Sequence, residues 1–228
     1  MRRNETADGL ETLDDLLTRL GGISPKRVRL RPAPGTATER DVLRILDREK
    51  RKYELVEGTL VEKLMGAKES FVAVQIVLLL GIWNQSHSDL GMILGEAGTL
   101  RFLKGLVRIP DVSFTRWDRL PGGRVPAEPI PELSPDLAVE VLSPGNTRAE
   151  MARKLKEYFL SGVRAVWFVD PAARTVRVYS SPDDVTAFAE GDTLTGGDVL
   201  PGFRLPVSRL FEKLPDEPAR PGRKKKSR

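Results

Sequence analysis

Two acidic residues stand inside otherwise apolar runs: Asp111 in Val107-Arg108-Ile109-Pro110-Asp111-Val112-Ser113-Phe114, and Glu140 in Leu137-Ala138-Val139-Glu140-Val141-Leu142. A carboxylate in such a run costs free energy unless it is solvated, ion-paired or bound to a cation. Period-2 alternation puts Glu140 on one strand face with Ala138 and Leu142, and Val139 with Val141 on the other. The helix expected next offers Lys154 and Lys156. Lys154 lies three residues from Met151 and four from Tyr158, which sets it beside the apolar stripe. Two neighbouring carboxylates can hold a hard divalent cation, and a lysine next to them can orient a water or offset developing negative charge. A rim salt bridge between Glu140 and a helix lysine has the same spacing, so spacing alone leaves both readings open.

Composition narrows the chemistry. The 228 residues contain no Cys and a single His, His87. Disulfide frameworks, thiolate zinc sites and cysteine catalysis are excluded, and so is any site built on two or three imidazoles. His87 falls in the polar run Asn84-Gln85-Ser86-His87-Ser88-Asp89 and reads as a loop residue. The formal net charge of +5 is concentrated at the C-terminus, where residues 219–228 hold Arg220, Arg223, Lys224, Lys225, Lys226, Arg228 and no acid. The rest of the chain is nearly neutral, so its charge gives little support to polyanion binding. No secretory signal is visible after Met1-Arg2-Arg3, and the apolar run from Phe71 to Trp83 is too short to span a bilayer. The expectation is a cytoplasmic protein without membrane contact.

The elements that must position these residues follow from periodicity and caps. Leu10, Leu13, Leu16, Leu17 and Leu20 predict a short helix stopped by Gly21-Gly22, and Pro25 to Gly35 reads as a linker or edge segment. Thr38 and Asp41 form a capping-box pattern that opens a helix to about Lys50. Tyr53–Val56 and Thr59–Glu62 flank Glu57-Gly58 as a hairpin, and residues 70–85 read as an apolar core helix. Strands are expected at Met92–Leu94, Thr99–Leu103 and Val107–Phe114, the last with Pro110 marking an edge or bulge. A long loop covers 121–135. A strand follows at Leu137–Leu142, then a helix from Asn146-Thr147 with Glu150 completing a second capping box, then three strands from Ala165 onward. The pattern predicts a mixed α/β fold.

The motifs in this order resemble one known family. Arg108-Ile-Pro-Asp111-Val-Ser-Phe114, Pro135-Asp-Leu-Ala-Val-Glu140-Val-Leu-Ser-Pro144, Lys154-Leu-Lys-Glu-Tyr158, Gly162-Val163 and Trp167-Phe-Val-Asp-Pro171 are similar to the Uma family of restriction endonucleases, within the PD-(D/E)XK nuclease superfamily. Tyr53-Glu-Leu-Val-Glu-Gly58, Leu200-Pro-Gly-Phe203 and Leu210-Phe211 extend the match. The resemblance covers about residues 38–212. It implies a restriction-endonuclease-like mixed β-sheet flanked by helices, between an N-terminal extension and linker (1–37) and a disordered basic tail (213–228).

The resemblance further implies Mg²⁺-dependent, or Mn²⁺-dependent, hydrolysis of DNA phosphodiester bonds. Asp111 matches the motif aspartate and Glu140 the second acidic position; together with the Val141 carbonyl they would bind the cation. The superfamily's usual lysine position holds Leu142, and the lysine role passes to Lys154. Glu54 matches an upstream glutamate that would complete the acidic cluster. A homodimer would suit a double-strand cut. The chain departs from the family where Ala67-Lys68-Glu69 replaces a common His, and where Arg164-Ala165-Val166 replaces a more polar stretch. The alternative on the same fold is a catalytically silent module that binds nucleic acid or protein. Of the three tryptophans, Trp83 and Trp167 read as core residues and Trp117 as a surface contact.

Overall fold

The computed structural model describes residues 12–215. In chain order it contains α1 (Leu13–Arg19), β1 (Val28–Arg29), α2 (Glu39–Glu49), β2 (Tyr53–Val56), β3 (Thr59–Glu62), α3 (Ala67–Ser86), β4 (Gly91–Leu94), β5 (Leu100–Leu103), β6 (Leu106–Arg108) and β7 (Val112–Arg116). There follow β8 (Leu137–Val141), α4 (Arg148–Leu160), β9 (Ala165–Asp170), β10 (Thr175–Tyr179), β11 (Val185–Ala189), β12 (Thr193–Thr195), β13 (Arg204–Pro206) and α5 (Ser208–Phe211).

The strands form a five-stranded sheet ordered β1-β3-β2-β6-β5, a six-stranded sheet ordered β11-β10-β9-β8-β7-β4, and the small β12-β13 pair. β8 and β9 run parallel, joined through α4, while β8 and β7 are antiparallel. Such a sheet is mixed, the architecture of a restriction-endonuclease-like α/β fold.

Local chemistry explains the pieces that frame the site. α2 begins at Thr38, whose backbone N–H donates to Asp41 Oδ2 at 2.9 Å in a complete capping box. The β2–β3 hairpin turns at Glu57 and Gly58, both at positive φ, as a tight two-residue turn requires. A Cβ on Gly58 would lie 2.5 Å from the Gly35 backbone, so that position also lets the N-terminal segment pass close.

The layers bury three groups of side chains. α3 contributes Val72, Ala73, Ile76, Leu80 and Trp83 to a core with Val112, Phe114, Leu137, Val139, Trp167 and the α5 region. On the opposite face of the six-stranded sheet, Ala138, Val166 and Phe168 pack with Met151, Leu155 and Tyr158 of α4 and with Val56, Val61 and Leu100 of the five-stranded sheet. α2 covers the outer face of that second sheet through Val42 and Ile45 against Tyr53, Leu55, Leu60 and Val107. Both faces of β2 are therefore buried, and every residue in it is inaccessible.

Several expectations need correction. The run Val107–Phe114 is not one strand: β6 belongs to the five-stranded sheet and β7 to the six-stranded sheet, with Ile109-Pro110-Asp111 crossing between them. Proline has no N–H to continue a ladder, which suits it to this exchange. α3 spans 20 residues and is long and apolar enough, by length and composition alone, to cross a membrane. One face of it packs on β4, β7, β8 and α5, while Val74, Leu78 and Ile82 on the other face are exposed.

Residues 12–37 are packed onto the domain: Leu16, Leu20, Ile23 and Val28 are buried, and β1 pairs with β3. Arg27 reaches Glu150 of α4 at 2.8 Å. That pairing also undoes the second capping box, since Thr147 accepts from the Glu150 N–H but the Glu150 carboxylate turns to Arg27 and Asn146. Of the expected basic tail, only residues 213–215 are among those described.

Candidate active site between the two sheets

Strand alternation carries the site residues into the space between the sheets. On β8, Glu140 shares the face of Ala138, which looks toward α4. On β2, Tyr53 and Leu55 face α2, so Glu54 and Val56 point inward; on β6, Arg108 points inward with Leu106. Asp111 ends the crossover, where its N–H donates to Val139 O at 3.0 Å and its Oδ2 accepts from the Val141 N–H at 2.6 Å. Glu54, Asp111, Glu140 and Lys154 are all at most 3% exposed. The four residues named from the sequence thus converge in one place.

They do not play equal parts there. Lys154 Nζ donates to Glu54 Oε1 at 3.1 Å and to Glu140 Oε1 at 3.0 Å. It lies beside the apolar stripe of Met151, Leu155 and Tyr158, as its spacing predicts, and is buried there because the two sheets supply a carboxylate each to meet it. Glu54 is saturated: Oε1 also accepts from the Ile109 N–H at 3.2 Å, and Oε2 accepts from Arg108 Nη1 at 2.7 Å. It turns away from the cavity and acts as the anchor of Lys154 and Arg108. The Tyr158 hydroxyl makes a short hydrogen bond to Glu140 Oε1. Arg108 also binds Glu157, one turn from Lys154 on α4.

Lys63 is the residue that sequence reasoning missed. Its Nζ lies 2.8 Å from Asp111 Oδ1 and 2.9 Å from Glu140 Oε2, bridging the two acids. A signal was present. The Lys63 N–H donates to Lys52 O at 3.0 Å, extending the hairpin, and period 2 from Val61 puts Lys63 on the inward face. Arg108 and Tyr158 stood within the recognised motifs without an assigned role.

Burial and charge oppose each other throughout this cluster. Burial pushes the Glu140 carboxyl up, but Lys154 and Lys63 outweigh it and leave the group below its ordinary range. Glu54 is treated likewise: burial raises it, while Lys154, Arg108 and Lys63 pull it further down. Asp111 ends above its ordinary value, because burial and the nearby Glu140 charge exceed the pull of Lys63. Burial would lower Lys63, yet Asp111, Glu140 and Glu54 raise it. Tyr158 is raised well above its usual value by burial and by the Glu140 and Glu54 charges.

A cavity of about 40 Å³ opens beside the acid pair, lined among others by Lys63, Glu69, Asp111, Glu140, Val141 and Lys154. Asp111 Oδ1 and Glu140 Oε2 face a common cation position, and Oδ1 has no aligned hydrogen bond besides its ion pair. Two hard oxygens converging on one cation suit a divalent metal of the Mg²⁺ type. Among the described residues no group of three or more His, Asp or Glu side chains is arranged to hold a metal, and Glu54 does not complete one. The donor set that fits is Asp111 and Glu140, with Val141 at the cavity wall.

Other candidates fall away. Trp117 is half-buried against the α4-side core, contrary to its reading as a surface contact. His87 caps the end of α3 and bonds through Nδ1 to Trp83 O at 2.8 Å.

No curated protein is similar enough to the chain to serve as a comparison. Among solved structures, one from Anabaena variabilis ATCC 29413, described as "a putative nuclease belonging to DUF820", matches with a TM-score of 0.63 at 21% identity. The match covers 72% of this chain and 91% of that one, and at such identity it shows a shared fold. The family Uma2, described as "Putative restriction endonuclease", matches residues 40–208, and the chain belongs to that family.

Proposed function

We propose that the chain is a divalent-metal-dependent endonuclease that hydrolyses phosphodiester bonds of DNA, with Mg²⁺ as cofactor and Mn²⁺ as a substitute. The observation that carries this reading is the meeting of Asp111, Glu140 and Lys154 at one small cavity between the sheets. Asp111 and Glu140, with the Val141 carbonyl, would hold the metal. When bound, the metal supplies Lewis-acid polarisation of a phosphodiester oxygen.

The chain's own residues do the rest. Lys154, fixed by Glu54 and Glu140, presents a positive charge that orients the attacking water and offsets charge on the phosphate. Tyr158 fixes Oε1 of Glu140, which leaves Oε2 toward the cavity. Glu54 and Arg108 hold Lys154 in place from behind and do not touch substrate. A cytoplasmic homodimer, with two such sites for the two strands, is the assembly consistent with a double-strand cut.

The test is nicking of supercoiled plasmid by purified protein with Mg²⁺ or Mn²⁺, beside an RNA substrate of matched length. Cleavage should vanish with chelator and in Asp111→Ala and Lys154→Ala. Equal nicking by those variants would defeat the assignment. One observation favours the second reading, a catalytically silent module: the acid pair already carries an internal counter-ion in Lys63. Under that reading the wild type binds DNA and cuts none.

A further inference from the structure

Lys63 enters the site from the end of the β2–β3 hairpin, and its ammonium sits on the two oxygens that a metal would need, Asp111 Oδ1 and Glu140 Oε2. A divalent cation and an ammonium cannot share that position. Each needs the same two oxygens in direct contact, so the metal can take them only when the ammonium has moved off them. Lys154 is not on those two oxygens: two of its donors go to Glu54 Oε1 and Glu140 Oε1, and it meets the cavity from the α4 side.

We infer that Lys63 is a resident counter-ion of the acid pair, displaced when a divalent metal binds, and that it sets the metal affinity of the site. The inference rests on the proposed metal site and deepens it. Without a metal or an ammonium between them, Asp111 and Glu140 would be two carboxylates facing one cavity, and such a pair has to take up a proton or a cation. The ammonium holds the pair in place until the metal arrives.

The displaced side chain also has somewhere to go. Lys63 lines a second cavity, of about 290 Å³, together with Leu64, Met65 and the run Lys50-Arg51-Lys52. The cations of that run are matched by acids: Lys50 with Asp47 at 3.8 Å, Arg51 with Glu62 at 2.6 Å and Lys52 with Glu96 at 3.3 Å. The ammonium can therefore leave for a wetter space without entering a field of bare positive charge. A long unbranched side chain makes such a move at the cost of a few rotamer changes.

The experiment compares full-length wild type with Lys63→Met and Lys63→Gln by calorimetric titration with MnCl₂ and MgCl₂, with circular dichroism to establish folding. Unfolding temperatures are recorded with and without metal. Both variants should bind Mn²⁺ at least about tenfold more tightly than wild type, since the metal no longer competes with an ammonium. Both should unfold at lower temperature than wild type without metal and gain more from its addition. Adding Asp111→Asn to Lys63→Met should abolish the binding. If either folded Lys63 variant binds Mn²⁺ no more tightly than a metal-binding wild type, the counter-ion role is overturned and the metal site stands. If neither wild type nor the variants bind Mn²⁺, the metal reading and this inference fall together.

Discussion

Arg108 Nη1 donates to Glu54 Oε2 at 2.7 Å, and both side chains are sealed from solvent. The pair joins adjacent strands of the five-stranded sheet, with Glu157 on the far side of the guanidinium and Lys154 on the far side of the carboxylate. Removing one member of such a pair leaves an uncompensated charge in the interior. Glu54→Ala should therefore destabilise the protein by about 3–5 kcal/mol, read from the midpoint of urea unfolding. A loss below about 1 kcal/mol would fit a surface pair and contradict the burial described above.

Lys154→Met removes the charge while keeping most of the side-chain volume. Loss of a preorganised charge at a reacting phosphate is expected to lower cleavage by about 10²–10³-fold. The measurement is the single-turnover nicking rate at saturating metal, with near-native circular dichroism as the control. A folded variant with unchanged rate would remove Lys154 from the chemistry.

The acid limb of stability should be steep. Glu54 and Glu140 are both held below their ordinary value of 4.5 in the folded protein. A carboxyl with a lowered folded pKa binds protons more readily in the unfolded chain, so its stabilisation is present above pH 4.5 and is lost as pH falls below it. Asp111 runs the other way: its folded value is raised above 3.8, so its contribution favours folding below that pH and is lost as pH rises through the folded value. Unfolding temperature measured from pH 7 to pH 3 should fall on the acid side, and the gap between wild type and Glu54→Gln should narrow as pH drops. A gap that widens toward acid would contradict the lowered value for Glu54.

Arg27 ties the N-terminal segment to α4 through Glu150, with the Arg27 Nε donating to Glu62 O at 3.1 Å. Arg27→Ala should cost about 3 kcal/mol and expose residues 20–36 to limited proteolysis. Unchanged protease resistance would show that Leu16, Leu20 and Ile23 hold the segment without the ion pair.

Much of this was legible in the sequence, and the reasons differ by residue. Glu140 could be read because a lone acid in a strand with period 2 must face something that tolerates it, and here that is Lys154, Lys63 and Tyr158. Asp111 was read for the same reason, but its setting was not, since exchange between sheets depends on which distant strands pair with β6 and β7. Glu54 was named as an acid of the cluster, and the sequence could not say that Arg108 and Lys154 occupy both its oxygens. Lys63 stood one residue past a recognised hairpin. Period 2 from Val61 already put it on the inward face, but which acids it meets depends on the strands across from it. The N-terminal segment looked like an appendage because Pro25 to Gly35 lacks periodicity, while its docking depends on Glu150 more than a hundred residues later.

The crossover at Ile109-Pro110-Asp111 carries a mechanical consequence. It leads from β6, which holds Arg108, to β7 of the other sheet, with no slack loop between them. Lys63, Glu54 and Arg108 travel with one sheet; Asp111 and Glu140 travel with the other. The site is a seam, and it exists only while the two sheets are seated on each other. A solvent condition that parts them by a few ångströms would erase it while leaving the hairpins and helices spectroscopically intact. The contacts of Lys63 with Asp111 and Glu140, and of Lys154 with Glu54, should then be lost before the secondary structure is, so the site gauges how closely the two sheets are seated.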